Sequence, residues 1–204
     1  NIMNIFYLHK DTRLCAEMHV DKHVVKMILE YAQLLSTAHR VLDGTITHGL
    51  SESGRKQTRY VLPDGRDGLL YSATHINHPS AQWVRQSVQN YMWLAEMLES
   101  LCGEYTYRYG KVHKVESTGL MQALKNNFPK NIPDKPFTEP TPAMPEEVKV
   151  PNDSIASYRN YYWLNKKHLI SWKGKINSRP QPKWYSEKAL DELARITQEL
   201  GFEY

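Results

Sequence analysis

Asp21-Lys22-His23-Val24-Val25-Lys26-Met27-Ile28-Leu29-Glu30 decides how the chain is read. It lies in a run, about residues 16–42, whose apolar side chains recur with the period of a helix. At about 100° per residue, His19, His23, Lys26, Glu30, Gln33 and Thr37 fall in one narrow band. Nearly everything else, from Val20 and Val24 to Leu34, Leu35 and Val41, is apolar, and a helix apolar almost all round is normally buried. Burying imidazoles, an ammonium and a carboxylate is costly unless they pair or face a wet cleft. The band is therefore expected to line a cleft where chemistry occurs. Glu30 would be the general acid/base, Lys26 an amine nucleophile whose pKa is depressed by cations and apolar walls, and His23 an orienting or phosphate-contacting group. The competing reading is a helix edge with an exposed Lys26–Glu30 pair, stabilising by only a few tenths of a kcal/mol.

Composition sets the outer bounds. A chain of 204 residues fits one domain, expected over residues 3–204, with Asn1-Ile2 as an extension ahead of a native start at Met3. Cys15 and Cys102 are the only cysteines, too few for a disulfide framework or a multi-cysteine zinc site, which fits a reducing cytoplasm. No run of 18 apolar residues is present, so no membrane partner is expected. A net charge of +4 permits a polyanionic partner without demanding one. Thirteen tyrosines and five tryptophans, many beside Arg or Lys, suit stacking on bases next to phosphate contacts, and equally suit filling a core.

Helical patterns dominate, and the expected fold is an all-α bundle of about five helices. The first follows a short apolar stretch, Asn4 to Leu8, expected as strand or extended chain. Residues 43–68, rich in Gly, Ser, Asp and Arg, read as a mobile insertion or a small hairpin. A second helix is expected from Pro79 to Leu101, broken at Gly103, and a shorter one from Ser117 to Asn127. Residues 129–151 hold most of the 11 prolines and should wrap the surface in extended form. Two further helices are expected, from Ser154 to Trp172 and from a Ser186 cap to Leu200.

Three other constellations could carry chemistry. Thr74-His75-Ile76-Asn77-His78-Pro79 precedes a helix start, where His75, Asn77 and His78 could hold an anion or simply cap the helix. Arg108, Lys111, His113 and Lys114, with Arg159, Tyr162 and Lys166 on a later helix, read as phosphate contacts, joined by Lys22 and Arg85. His19 and His23, four residues apart, have the spacing of paired helical metal ligands, with a third to come from His75, His78 or His113. That signal is weak, and neither metal nor cofactor is expected.

The stretches Asp21–Leu35, Thr74–Ser80, Arg108–His113, Ala143–Pro145 and Tyr158–Tyr162 together resemble a family of small phage-encoded proteins with no settled activity. More distantly the chain is similar to the pyrimidine-dimer DNA glycosylase/AP-lyase family. That likeness rests on His23 and Glu30 two turns apart on a long helix, on His78-Pro79, and on Lys175-Ile176 to Arg179-Pro180 followed by Trp184-Tyr185. The resemblance implies an all-α fold, a DNA or nucleotide partner, a host-cytoplasmic location and catalysis by Glu30 on a pyrimidine base. Two departures stand out. That family's phage lyase uses an N-terminal threonine amine, whereas a chain starting Met3-Asn4 offers none, which leaves Lys26 or Lys22 to replace it. Leu29 and Gln33 stand where the lyase has arginines. The same pocket would also suit a transferase that hypermodifies phage DNA bases. A third reading is a non-catalytic binder of nucleic acid or nucleotide that blunts host defence. Extruding a base costs a few kcal/mol, which stacking by Tyr107, Tyr109 and Tyr162 would offset.

Overall fold

The long apolar run forms two helices rather than one. In the computed structural model, which describes residues 3–201, α1 (Thr12–Met18) and α2 (Asp21–Asp43) are separated by extended backbone at His19 and Val20. Buried Arg108 explains the break. Its guanidinium takes the last free carbonyls of α1, donating to Glu17 O at 2.7 Å and His19 O at 2.7 Å. The His19 ring then locks the corner, with Nδ1 2.7 Å from Cys15 O and Nε2 2.8 Å from the Tyr31 hydroxyl.

Around α2, whose Val24, Met27, Ile28, Tyr31, Leu34, Leu35 and Ala38 are buried, the other helices assemble. It packs on α3 (Pro79–Gln86) and α4 (Val88–Tyr109). These two were expected as a single helix from Pro79. Ser87 interrupts it: its backbone is extended, its hydroxyl caps α4 at the Gln89 and Asn90 N–H groups, and it points to the carbonyls of Lys135 and Pro136. Gly103 does not end α4. The helix runs on to Tyr109 and stops at Gly110, whose φ of 68° is the left-handed cap that glycine adopts without strain.

The remaining elements are α5 (Lys114–Ser117), α6 (Leu120–Asn126), α7 (Ser154–Asn165) and α8 (Lys183–Glu199). The described residues therefore hold eight α-helices, more than the five expected, because the longer patterns break at caps. Helix α7 stops seven residues before Trp172, and α8 begins ahead of Ser186. Residues 129–151 carry one 3-10 turn, Glu146–Val148, and otherwise cross the surface, tied down by Trp83 Nε1 to Thr138 O and by Ala143 N to the Tyr158 hydroxyl.

The fold is mostly helical but not purely all-α. Residues 43–68 include an antiparallel hairpin, β1 (Thr45–Leu50) and β2 (Lys56–Val61), registered from Thr45 opposite Val61 to Leu50 opposite Lys56. Its root is fixed. Arg40, buried near the end of α2, donates to Tyr60 O, Leu70 O, Tyr71 O and the Asp67 carboxylate at 2.6–2.8 Å. Arg66 clamps Asp43 and Asp64 beside it. The stretch from Asn4 to Leu8 is extended and buried without a strand partner; Phe6 N donates to the Tyr31 hydroxyl and Cys15 Sγ to Phe6 O. No helix among the described residues is long and apolar enough to cross a membrane.

Candidate functional site

Glu30 is the anomaly in the polar band of α2. Its side chain is only 13% exposed, and its Oε2 is buried with no hydrogen-bond partner among the described residues. Among the described residues it pairs with Lys26, one turn away, with Nζ 3.6 Å from Oε2: close enough to attract, too long for a hydrogen bond. Burial pushes the carboxyl pKa up, while Lys26 and His75 pull it back less strongly. A buried acceptor left open on a carboxylate is rare in folded proteins and calls for an explanation.

Across from Glu30 lies the turn that leads into α3. Thr37 on α2 grips this turn by exchanging hydrogen bonds with Thr74 N and O. His75 follows with φ 48°, a left-handed backbone that a non-glycine residue adopts only when its surroundings hold it there. Its Nδ1 sits 2.8 Å from Thr74 Oγ1, and its imidazole is exposed on the side of Glu30. His78 caps α3, its Nδ1 accepting from Ser80 N at 3.0 Å. Ser80, wholly buried, has an Oγ without a partner. Glu30 and Lys26 on α2, with His75 acting on Glu30 electrostatically from the turn ahead of α3, make up a polar seam, and His78 and Ser80 belong to the α3 cap that follows it. Asn77 is exposed on the same turn.

His23 belongs to the other side of the band. The Tyr162 hydroxyl accepts from Val20 N and donates to His23 Nδ1 at 2.8 Å, and Phe6 stacks on the ring at 4.2 Å. Burial, with the charges of Lys166 and Lys26, lowers the His23 pKa to about 2, so the ring is neutral. It is a fixed wall, and Tyr162, fully buried, offers no surface for stacking on a base.

Several cations expected to meet phosphate do other work. Arg108 is completely buried, bonded to Glu104 at 2.8 Å and Asp21 at 3.1 Å besides the α1 carbonyls, which leaves it unable to reach a ligand. Arg159 donates to Leu8 O, covers the Trp184 ring at 5.3 Å and opens onto a recess with Asp153, Glu187, Lys188 and Asp191, where carboxylates outnumber the cations. Lys166 lies over the Tyr161 ring at 4.9 Å. His113 caps α5 by accepting from Val115 N. Lys22 and Lys111 are exposed, the latter beside Tyr105 and Tyr109. Arg85 is half-buried with Nη1 unpartnered.

Lys26 does not have the apolar walls expected for a depressed amine: its side chain is 58% exposed and pairs with Glu30. His19 cannot be a metal ligand without dismantling the α1–α2 corner, since both of its nitrogens are bonded. Among the described residues no group of three or more His, Cys, Asp or Glu side chains is arranged to hold a metal ion. Arg40, Ser80 and the cations of the hairpin were not singled out in the sequence. Only Ser80 left a trace there, as the last residue of the His-Pro-Ser motif.

Compared with protein-family models, with curated proteins and with solved structures, the chain has no match. Its function is therefore argued from the seam itself.

Proposed function

We propose that the chain is a DNA-directed enzyme acting on a pyrimidine nucleobase, in the manner of a glycosylase/AP-lyase, with Glu30 at its chemical centre. One observation carries the reading: a carboxylate with a buried oxygen left open among the described residues, raised in pKa, 3.6 Å from an exposed amine. A raised carboxylate is the stronger base, so Glu30 is suited to take the proton of Lys26. The freed amine adds at C1′ of the nucleotide, and the base leaves with the electrons of the glycosidic bond. Glu30 passes the proton it took to the departing base; the nitrogen then gives its second proton to O4′ as the C1′–O4′ bond breaks, which leaves the protonated imine that defines a lyase. The exposure of Lys26 lets it reach a nucleotide that enters from solvent.

Borohydride trapping on duplexes carrying an abasic site, a pyrimidine dimer or a modified pyrimidine tests this. Wild type should form a covalent adduct that Lys26→Ala abolishes and Glu30→Gln slows at least ~100-fold, in keeping with general acid/base contributions of about 10²–10⁴. An adduct that survives Lys26→Ala moves the nucleophile to another amine. Neither adduct nor base release from any of these substrates contradicts the proposal.

A further inference from the structure

The β1–β2 hairpin stands out from the helical body with both faces open. Every residue of β1 is exposed, as is most of β2, and two apolar side chains, Ile46 at 52% and Leu50 at 71%, have nothing to pack against. Both strands are sheet edges, whose free N–H and C=O groups are normally covered or blunted by charge. Here the blunting charges are of one sign. Residues 45–61 contain Arg55, Lys56 and Arg59 against a single carboxylate, Glu52, and so supply half of the chain's net +4.

The arm is stiff. Gly54, with φ 82°, closes a turn in which Gly54 N bonds to Ser51 O and Ser51 N to Arg55 O. Its root is held by the Arg40 bonds to Tyr60, Asp67 and Leu70. Six residues per strand at about 3.4 Å each give a reach of about 20 Å.

The register sorts its side chains. Ile46, His48 and Leu50 share one face with Tyr60, Thr58 and Lys56; Thr47 and Gly49 share the other with Arg59 and Gln57. That second face is a shallow trough floored by Gly49, beside which a Cβ would meet nothing within 4 Å, with Glu52 of the turn at its far end and Arg59 and Gln57 along its side. Arginine and glutamine are the side chains that read guanine and adenine edges with paired hydrogen bonds. Behind the root, Arg85 carries its unpartnered Nη1 within electrostatic reach of Tyr60, and residues 70–73 lead from the arm directly to His75.

From this we infer that the hairpin is a duplex-DNA arm. It inserts its Thr47–Gly49–Gln57–Arg59 face into the major groove beside the nucleotide held at Glu30, while Arg55 and Lys56 meet the flanking phosphates. A B-form major groove, about 12 Å wide, admits a two-stranded ribbon, whereas the narrow A-form groove of RNA does not. The inference rests on the DNA reading of the Glu30 seam, and the experiment separates the two.

Anisotropy of labelled duplex, single-stranded DNA and duplex RNA is measured across a salt series. The full-length wild type is compared with Arg55→Ala/Lys56→Ala and Gln57→Ala/Arg59→Ala. The first double variant should bind duplex DNA at least ~10-fold more weakly, with a salt slope smaller by about two, at roughly 0.9 per lost phosphate contact. The second should flatten the differences among duplex sequences. Both arm variants should melt as wild type does, since these side chains lie on the exposed arm. Wild-type slopes and sequence differences retained in both double variants overturn the arm while leaving the Glu30 seam standing. Equal losses on single-stranded DNA or duplex RNA overturn groove insertion. A wild type that binds no DNA overturns both the arm and the reading on which it rests.

Discussion

Two carboxylates on α2 are treated in opposite ways. Asp21, at its first turn, accepts from Arg108, from the Ser171 hydroxyl and from Gly174 N at 2.8–3.1 Å, a complete set that ties the C-terminal segment to the core. Gly174 is required there: its φ is 61°, and a Cβ would strike Asn177 O. Glu30 has no such set among the described residues, which is the reason the proposed chemistry is centred on it. Glu30→Gln is therefore expected to keep or slightly raise stability, within about 1 kcal/mol by denaturant unfolding, because it removes a poorly solvated charge. Arg108→Ala goes the other way. It strands the Glu104 carboxylate in the core, although Arg179 still reaches that group at 2.6 Å, and it frees the α1 carbonyls. A loss of about 3–5 kcal/mol is expected, read by the same unfolding curve. The sequence showed Arg108 and Lys111 as equals in one basic stretch. Only once α4 is carried past Gly103 does Arg108 stand one turn from Glu104, facing inward, while Lys111 falls beyond the helix end. The histidines before α3 and α5 were ambiguous for a similar reason, since a residue placed to bind an anion at a helix start is equally placed to cap it.

At the scale of elements, helical periodicity was a good guide to where helices lie and a poor one to where they stop. The breaks at His19-Val20 and Ser87 are made by distant partners, Arg108 and the carbonyls near Pro136, that no local window contains. The hairpin was visible only as an excess of polar residues, because its alternation is weak when both faces are open. Its root is held by Arg40, which is buried among Ser36, Thr37, His39 and Asp43 at the end of α2, and no local pattern shows its partners in the hairpin. Arg40→Met is expected to cost about 2–3 kcal/mol and to strip hydrogen-exchange protection from residues 56–61 while sparing α4. Unchanged protection in β2 would show that the root is held by something else.

The whole molecule carries a pH signature. Three histidines are buried neutral: His19, lowered to about 3 by burial; His23, to about 2 by burial and nearby positive charge; and His39, to about 4 by burial with the Arg66 guanidinium 2.9 Å away. Unfolded histidine binds a proton near pH 6.5 and these folded ones do not. Stability is therefore full above about pH 6.5 and falls as pH drops through that value toward 4 and below. Each histidine contributes up to about 1.4 kcal/mol per pH unit. Glu30 acts in the opposite sense: its raised pKa costs stability above its unfolded value, a cost relieved as pH falls through its folded value. Urea unfolding should give a plateau from pH 8 to 7 and a loss of several kcal/mol by pH 5, while a flat profile contradicts the buried-neutral assignment. His39→Gln should make the fall shallower by one histidine's share.

Single-turnover product formation on an abasic or modified-pyrimidine duplex, wild type against Glu30→Gln, tests the central claim most directly, provided that melting and DNA affinity are matched. The seam around Glu30 predicts product from wild type and a rate at least ~100-fold lower in the variant, with folding and binding unchanged. Equal rates in the two proteins would mean that the open carboxylate of α2 is not where the chemistry happens.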